Sequence, residues 1–331
     1  MKSRTKWGLA AVGLIAVAIL FFAMRSGDSD DGEAPVFVRM VSGPAGGSWY
    51  PLGAKIAQVL EQEITEIATS SGPGGGVSNV KDINQRNAEI GFSYANTTYD
   101  GYMGRGKYRE AQTNVRHFAT LYPAAFQAAV RRDSAVRTYA DLKDKHISPG
   151  KAGWSGTVIA EAVLKAYGIT FDSIRANGGT VHYVDYADSV ALMKDGHIDA
   201  FLGVTSVPQA SFIDLNFKPG IRFLSIDDEH MAAILASNRG FIRNVIPKTA
   251  YDGMVADVPT IGSVTVMLVH KDLPDDLVYR MAQVFWANHA SFAEVKKVWN
   301  EVKLENALMA VPVPVHPGAQ RYYDEVGVGP K

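Results

Sequence analysis

Three short segments concentrate the residue types that could do chemistry: 43–53 (GPAGGSWYPLG), 70–79 (SSGPGGGVSN) and 150–157 (GKAGWSGT). Each mixes glycine with hydroxyls and joins a strand-like run or loop to a helix-like one. Glycine lets a backbone approach a ligand closely, and Ser or Thr caps a helix or donates a hydrogen bond. In open α/β sheets, ligands bind beyond the carboxyl ends of strands, where helix N-termini present unpaired N–H groups. Three such segments in one chain imply a cleft for an anionic or polar small molecule. The aromatics Trp49, Tyr50, Tyr94, Tyr99 and Trp154 fall in or beside these segments, where they could wall a pocket. Ordinary helix capping and loop packing use the same residue types and stay open as the plainer explanation.

Catalytic motifs come close and each fails. A phosphate-binding P-loop needs Gly at 48 and Lys at 49, where this chain has Ser48 and Trp49. The run 72–77 (GPGGGV) ends in Val77, where a dinucleotide fingerprint needs a small residue. Gly153-Trp154-Ser155-Gly156-Thr157 has threonine where the nucleophile elbow needs glycine. The eight histidines are scattered, with no HExxH and no pair at ligand spacing, so no metal or cofactor is expected. His182 and His197 read as surface or core-edge residues, and Asp185, Asp188 and the run 227–229 as caps or solvated faces.

The elements that must hold these segments follow from 331 residues, 47% of them apolar and 20% charged, which suits a globular chain of two lobes. Thirty-three basic against 34 acidic side chains leave no field for nucleic acid. Cysteine is absent, which removes disulfides, thiolate metal sites and a cysteine nucleophile. From Val36 onward, short β-rich runs alternate with helical periodicity, the grammar of an α/β fold. Strands are expected at 36–42, 90–94, 115–122, 126–131, 145–148, 181–184, 198–203 and from 261. Helices are expected from Pro51, over 77–87, 155–167, 187–194 and 229–237, and over 275–299 as the longest. The aromatics Phe285, Trp286, Phe292 and Trp299 within that last helix read as core. The two halves share size and grammar, and the last strand and helix lack partners of their own. This predicts lobe 1 from 36–131 plus 262–331 and lobe 2 from 132–261, with a hinge near 131–134 and 258–263 and a cleft between.

Residues 1–35 read as an address. Lys2, Arg4 and Lys6 precede an 18-residue apolar run, 7–24, and an acidic polar stretch follows. That order is an export signal, and the run could also stay uncleaved as an anchor. The fold is therefore expected outside the cytoplasm, in the periplasm.

Several motifs then occur in order: GPAGGSWYPLG, GGGVSNV, EIGFSYANTTYDGYMGRG, YADLKDKHISPGKAGWSGT, ALMKDGHIDAFLGV and LENAL…VPVHPGAQRYYDEVG. Together they resemble the TAXI family, the extracytoplasmic solute-binding subunits of tripartite ATP-independent periplasmic (TRAP) transporters. The resemblance implies a type II periplasmic-binding-protein fold that closes on a small anionic solute. It also implies, as partners, membrane permease subunits driven by an ion gradient. Members are associated with glutamate, glutamine or 2-oxoglutarate. Carried over residue by residue, the binding positions are Gly46, Gly47, Trp49 and Tyr50; Gly76, Ser78 and Asn79; Asn96 and Thr97; Ser155, Gly156 and Thr157; and Val204 and Thr205, with Gly203 before them. Trp49 stands where the family usually has tyrosine, and Lys151 with Trp154 makes the fourth loop longer. A monomer that binds and does not catalyse is expected. Two other readings are kept: a secreted serine-type hydrolase using Ser155 with a base such as His182, and a subunit presenting its ligand to a sensor system.

If residues 1–34 are only an address, their removal leaves a soluble protein with unchanged ligand affinity. Insoluble or ligand-blind truncated protein would count against it.

Overall fold

The computed structural model describes residues 35–44 and 47–329. The expected export segment 1–35, Pro35 apart, lies outside the described residues. Ten strands form one mixed sheet: β1 (Val36–Val41), β2 (Ile67–Gly72), β3 (Ile90–Tyr94), β4 (Val115–Arg131), β5 (His146–Ser148), β6 (Thr180–Val181), β7 (Ala200–Thr205), β8 (Ile221–Phe223), β9 (Phe241–Ile246) and β10 (Val258–His270). Their order is β2-β1-β3-β10-β4-β7-β5-β6, with β8 also on β4 and β9 also on β10.

Two long strands change partners along their length. The N-terminal part of β4 pairs with β10, from Val115 opposite His270 to Ala125 opposite Gly262. Its C-terminal part, from Ala125, pairs with β7. Likewise β10 pairs with β9 up to Ser263 and with β3 from Thr265. The handover falls at 123–125 and 262–264. The expected break between strands 115–122 and 126–131 does not occur. Pro123 is exposed and sits where β4 is about to trade neighbours, so its missing N–H costs no continuous ladder. A Cβ on Gly262 would lie 2.2 Å from the Ala124 carbonyl oxygen. Only glycine lets the two strands cross so closely.

Helices cover the sheet. In chain order those that matter here are α1 (Trp49–Glu63), α2 (Val77–Asn84), α3 (Ala95–Tyr102), α4 (Ser155–Ala166), α5 (Phe171–Ala176), α6 (Tyr186–Lys194), α7 (Ala210–Phe217), α8 (Asp228–Ser237) and α9 (Asp275–Asn288). Helix α1 begins two residues before Pro51, which sits in the first turn where an N–H has no helical partner anyway. It buries Leu52, Ile56, Val59 and Leu60, spaced to form one face. The helix expected over 275–299 ends at Asn288, and two 3₁₀ turns follow. Asn288 Nδ2 donates to the Val284 carbonyl (2.9 Å) and Ser291 Oγ to the Asn288 carbonyl (2.8 Å), local bonds that compete with the helical ladder. The aromatic core survives this change. Phe285, Phe292 and Trp299 are at most 1% exposed and pack edge-on or tilted against one another and Phe118. A second cluster joins Tyr186, Phe201, Phe212, Phe223 and Tyr251.

Asn79 ties the glycine turn at 73–76 to this frame. Its Oδ1 accepts from Gly75 N–H (3.0 Å), while Nδ2 donates to the carbonyls of Ser42 (2.7 Å), just past β1, and Phe92 (2.8 Å), in the middle of β3. The side chain is fully buried. Each buried polar group left unpaired costs about 1–3 kcal/mol, so Asn79→Leu is expected to lower unfolding free energy by about 3 kcal/mol or more in denaturant titration. A change under about 1 kcal/mol would show that the turn is held by other means.

Candidate functional site

Four segments distant in the chain meet around one small cavity of about 40 Å³. The first is the turn before α1. Gly47 N–H donates to the Pro44 carbonyl (2.9 Å), which places Ser48 at the helix start. Ser48 does not cap the helix; its Oγ bonds Ser206 Oγ (2.9 Å) and Thr205 Oγ1 (3.3 Å) instead. Trp49 then packs its ring on Tyr94 and Phe92, with centroids 4.6 and 5.8 Å away.

The second and third segments are the glycine turn before α2 and the turn before α4. Gly76 has φ of 66° and a Cβ there would lie 1.9 Å from Ser155 Oγ; one on Gly75 would lie 2.1 Å from Trp154 Cδ1. The glycines are thus required by a close approach. Ser155 N–H donates to the Gly75 carbonyl (3.0 Å) and Ser78 N–H to the Gly153 carbonyl (3.2 Å), with Gly76 and Trp154 bridged as in a sheet. The fourth segment is the end of β7. The Val204 carbonyl accepts from Tyr94 OH (3.2 Å) and from Tyr186 OH (3.1 Å). Trp154 stands edge-on to Tyr186, centroids 5.4 Å apart.

The walls are aromatic and neutral. Trp49, Tyr94, Tyr122, Trp154 and Tyr186 supply rings, Ser48, Ser155, Thr205 and Ser206 hydroxyls, and no lining side chain carries a formal charge. Burial raises the phenols: Tyr94 and Tyr122 well above the usual range and Tyr186 to about 12, the Val204 backbone moderating the last. They stay protonated at any physiological pH. Two hydroxyls lining the cavity, Ser155 Oγ and Tyr122 OH, are buried without a partner in hydrogen-bond geometry, although Trp49 and Thr265 lie close enough to Tyr122 to temper its shift. Buried polar groups are normally paired, so each marks a place where a partner belongs. The helix starts at Trp49 and Ser155 also face the cavity, and first-turn N–H groups have no intrahelical acceptor.

Of the positions expected from the sequence, Gly47, Trp49, Ser155, Gly156, Val204 and Thr205 line the cavity. Gly46 lies outside the described residues. Tyr50 is 41% exposed and turned away. Gly76, Ser78 and Asn79 stand behind the wall, where they shape the turn. Thr157 does likewise: its Oγ1 donates to the carbonyls of Lys151 (2.8 Å) and Pro149 (3.1 Å). Asn96 and Thr97 are buried at the start of α3 and do not line the cavity; Asn96 N–H donates to Ser263 Oγ (3.3 Å). Lys151 also stays outside, its Nζ 3.3 Å from Asp185. Asp188 N–H first, and Lys151 second, hold the Asp185 carboxyl below the usual range. Tyr122, Tyr186, Ser48 and Ser206 were not assigned to the site from the sequence. The hydroxyls of Ser48 and Ser206 adjoin assigned residues and were findable; Tyr122 ends a strand-like run that reads as core, and Tyr186 falls between the expected strand 181–184 and helix 187–194.

The hydrolase reading needed a base at Ser155. Ser155 Oγ has no partner, and His182 Nε2 bonds Thr180 Oγ1 (2.8 Å) instead. No group of three or more potential metal ligands occurs among the described residues, and no helix among them is long and apolar enough to cross a membrane.

Comparison with known proteins agrees with this architecture. The periplasmic binding protein BugD is 16% identical, with 90% of this chain and 99% of that one covered and a TM-score of 0.53. PhnD1 from Prochlorococcus marinus (MIT 9301), solved in complex with methylphosphonate, is 11% identical over 88% and 97% of the chains, with a TM-score of 0.51. The fold is thus the two-lobed one of periplasmic binding proteins. Residues 40–327 match the model of the NMT1-like family over nearly the whole described chain, and the protein belongs to that family.

Proposed function

We propose that this protein is an extracytoplasmic solute-binding subunit that captures a small carboxylate and hands it to a TRAP-type membrane permease. One observation carries the reading: a neutral, aromatic-walled cavity lined by two buried hydroxyls without partners and by the starts of two helices. Such a site attracts an acceptor-rich anion without a cationic side chain. The motif series of the TAXI family supports the transporter class, and a TRAP permease gene beside this one would support it further.

The same reading divides the chain into lobes, 36–131 plus 262–331 and 132–261, closed over the cavity. Contacts between these parts surround it: Ser48 with Ser206, Tyr94 with Val204, and Gly75 with Ser155. On a neighbouring face, Lys107 and Glu161 form an ion pair at 2.7 Å, both exposed enough that it adds at most about 1 kcal/mol. The hinge expected near 131–134 is drawn back in this reading to the partner exchange inside β4 at 123–125, with its second crossing in β10 at 262–264, and residues 125–131 then go with the second lobe.

Two measurements test this. In thermal-shift screening of small carboxylates, a ligand at about 100 times its Kd adds about 2.7 kcal/mol. Tyr122→Phe and Ser155→Ala should each weaken the hit about tenfold or more in calorimetry, yet change the ligand-free stability little, because neither hydroxyl makes a hydrogen bond of normal geometry without ligand. Wild-type affinity in both variants would sink the site. Second, X-ray scattering should show a smaller radius of gyration with saturating ligand than without. Identical curves would mean a rigid cleft.

A further inference from the structure

The cavity's charge balance narrows the solute further. Two helix starts, at Trp49 and Ser155, face it, and each carries roughly half a positive charge, about one unit together. No lining side chain adds a cation, and the nearest ammonium, Lys151, is committed to Asp185 outside the walls.

The donors tell the same story. Tyr94 and Tyr186 spend their hydroxyl protons on Val204, and Ser48 bonds Thr205 and Ser206. That leaves Ser155 Oγ, Tyr122 OH and the first-turn N–H of Gly156, enough for the oxygens of one carboxylate. Ser155 is 2% and Tyr122 1% exposed, so neither finds compensation in bulk water. The rest of the wall is the faces and edges of Trp49, Trp154 and the tyrosines.

We infer that the site selects a singly charged acid: one carboxylate held by Ser155, Tyr122 and the α4 start, and an uncharged remainder packed against the aromatic walls. The inference rests on the carboxylate reading above and narrows it. A second ionised carboxylate would be buried without a counter-charge or a donor set, which is strongly unfavourable.

The test compares pairs of equal shape on the purified full-length chain by calorimetry: glutarate against its monoamide glutaramate, and 2-oxoglutarate against its ω-monoamide. In each pair the monoamide is expected to bind at least about tenfold tighter, or about 1.4 kcal/mol. Dicarboxylates that bind as tightly as their amides, or tighter, would overturn the selectivity while leaving the carboxylate reading intact. If none of the four binds, the carboxylate reading falls and this inference with it. Binding of the amides should weaken about tenfold or more in Tyr122→Phe. Amide binding indifferent to that change would remove Tyr122 from the anchor.

Discussion

Ser155 donates its backbone N–H to the carbonyl of Gly75, and Gly76 lies so near Ser155 Oγ that no side chain fits between them. Much else depends on this meeting of two turns. It sets Trp154 on edge against Tyr186 and turns the start of α4 toward Trp49. Asn79 holds the other side of the same turn to β1 and β3. A side chain at Gly76 would demand both a backbone conformation hostile to L-residues and space already taken. The cavity therefore exists because two glycines leave nothing there.

Its electrostatics follow from what fills the walls. Aromatic rings exclude water and hydroxyls are spent on one another, so the remaining donors act in a medium of low polarizability, where they count for more than at a surface. Positive character comes from the peptide dipoles of two helices, which are distributed and cannot be titrated away. Phenols raised by burial keep their protons. The site is thus insensitive to pH through its own walls, and any dependence would enter through the solute.

Much of the fold was legible because periodicity reports burial directly. The alternating grammar, the buried strands at 90–94 and within 200–205, and the aromatic core at Phe285, Phe292 and Trp299 all come from the pattern of apolar residues. Boundaries set by local competition were less so. One strand bridges the gap expected between 122 and 126, and the partner exchange that makes it continuous is a long-range fact. Asn288 ended a helix that its apolar period continued. At the site, glycine and hydroxyl clusters drew attention to the right turns, but could not say which of their residues face inward.

What the sequence alone determined is the set of strand-to-helix turns, the absence of cysteine and charge imbalance, and the family motifs, since these depend only on residue type and spacing. The tertiary structure decided the division of labour. Asn79 and Thr157 became fasteners and Ser155 a free hydroxyl, although all three looked alike as polar residues at helix starts. It also brought Tyr122, on β4, and Tyr186, on α6, to one cavity with Trp49 and Trp154. Those residues are up to 137 positions apart, from Trp49 to Tyr186, and share no local signal. Which buried hydroxyl keeps its proton for a ligand depends on what the neighbouring backbone has already claimed, and that is fixed only when the chain has folded.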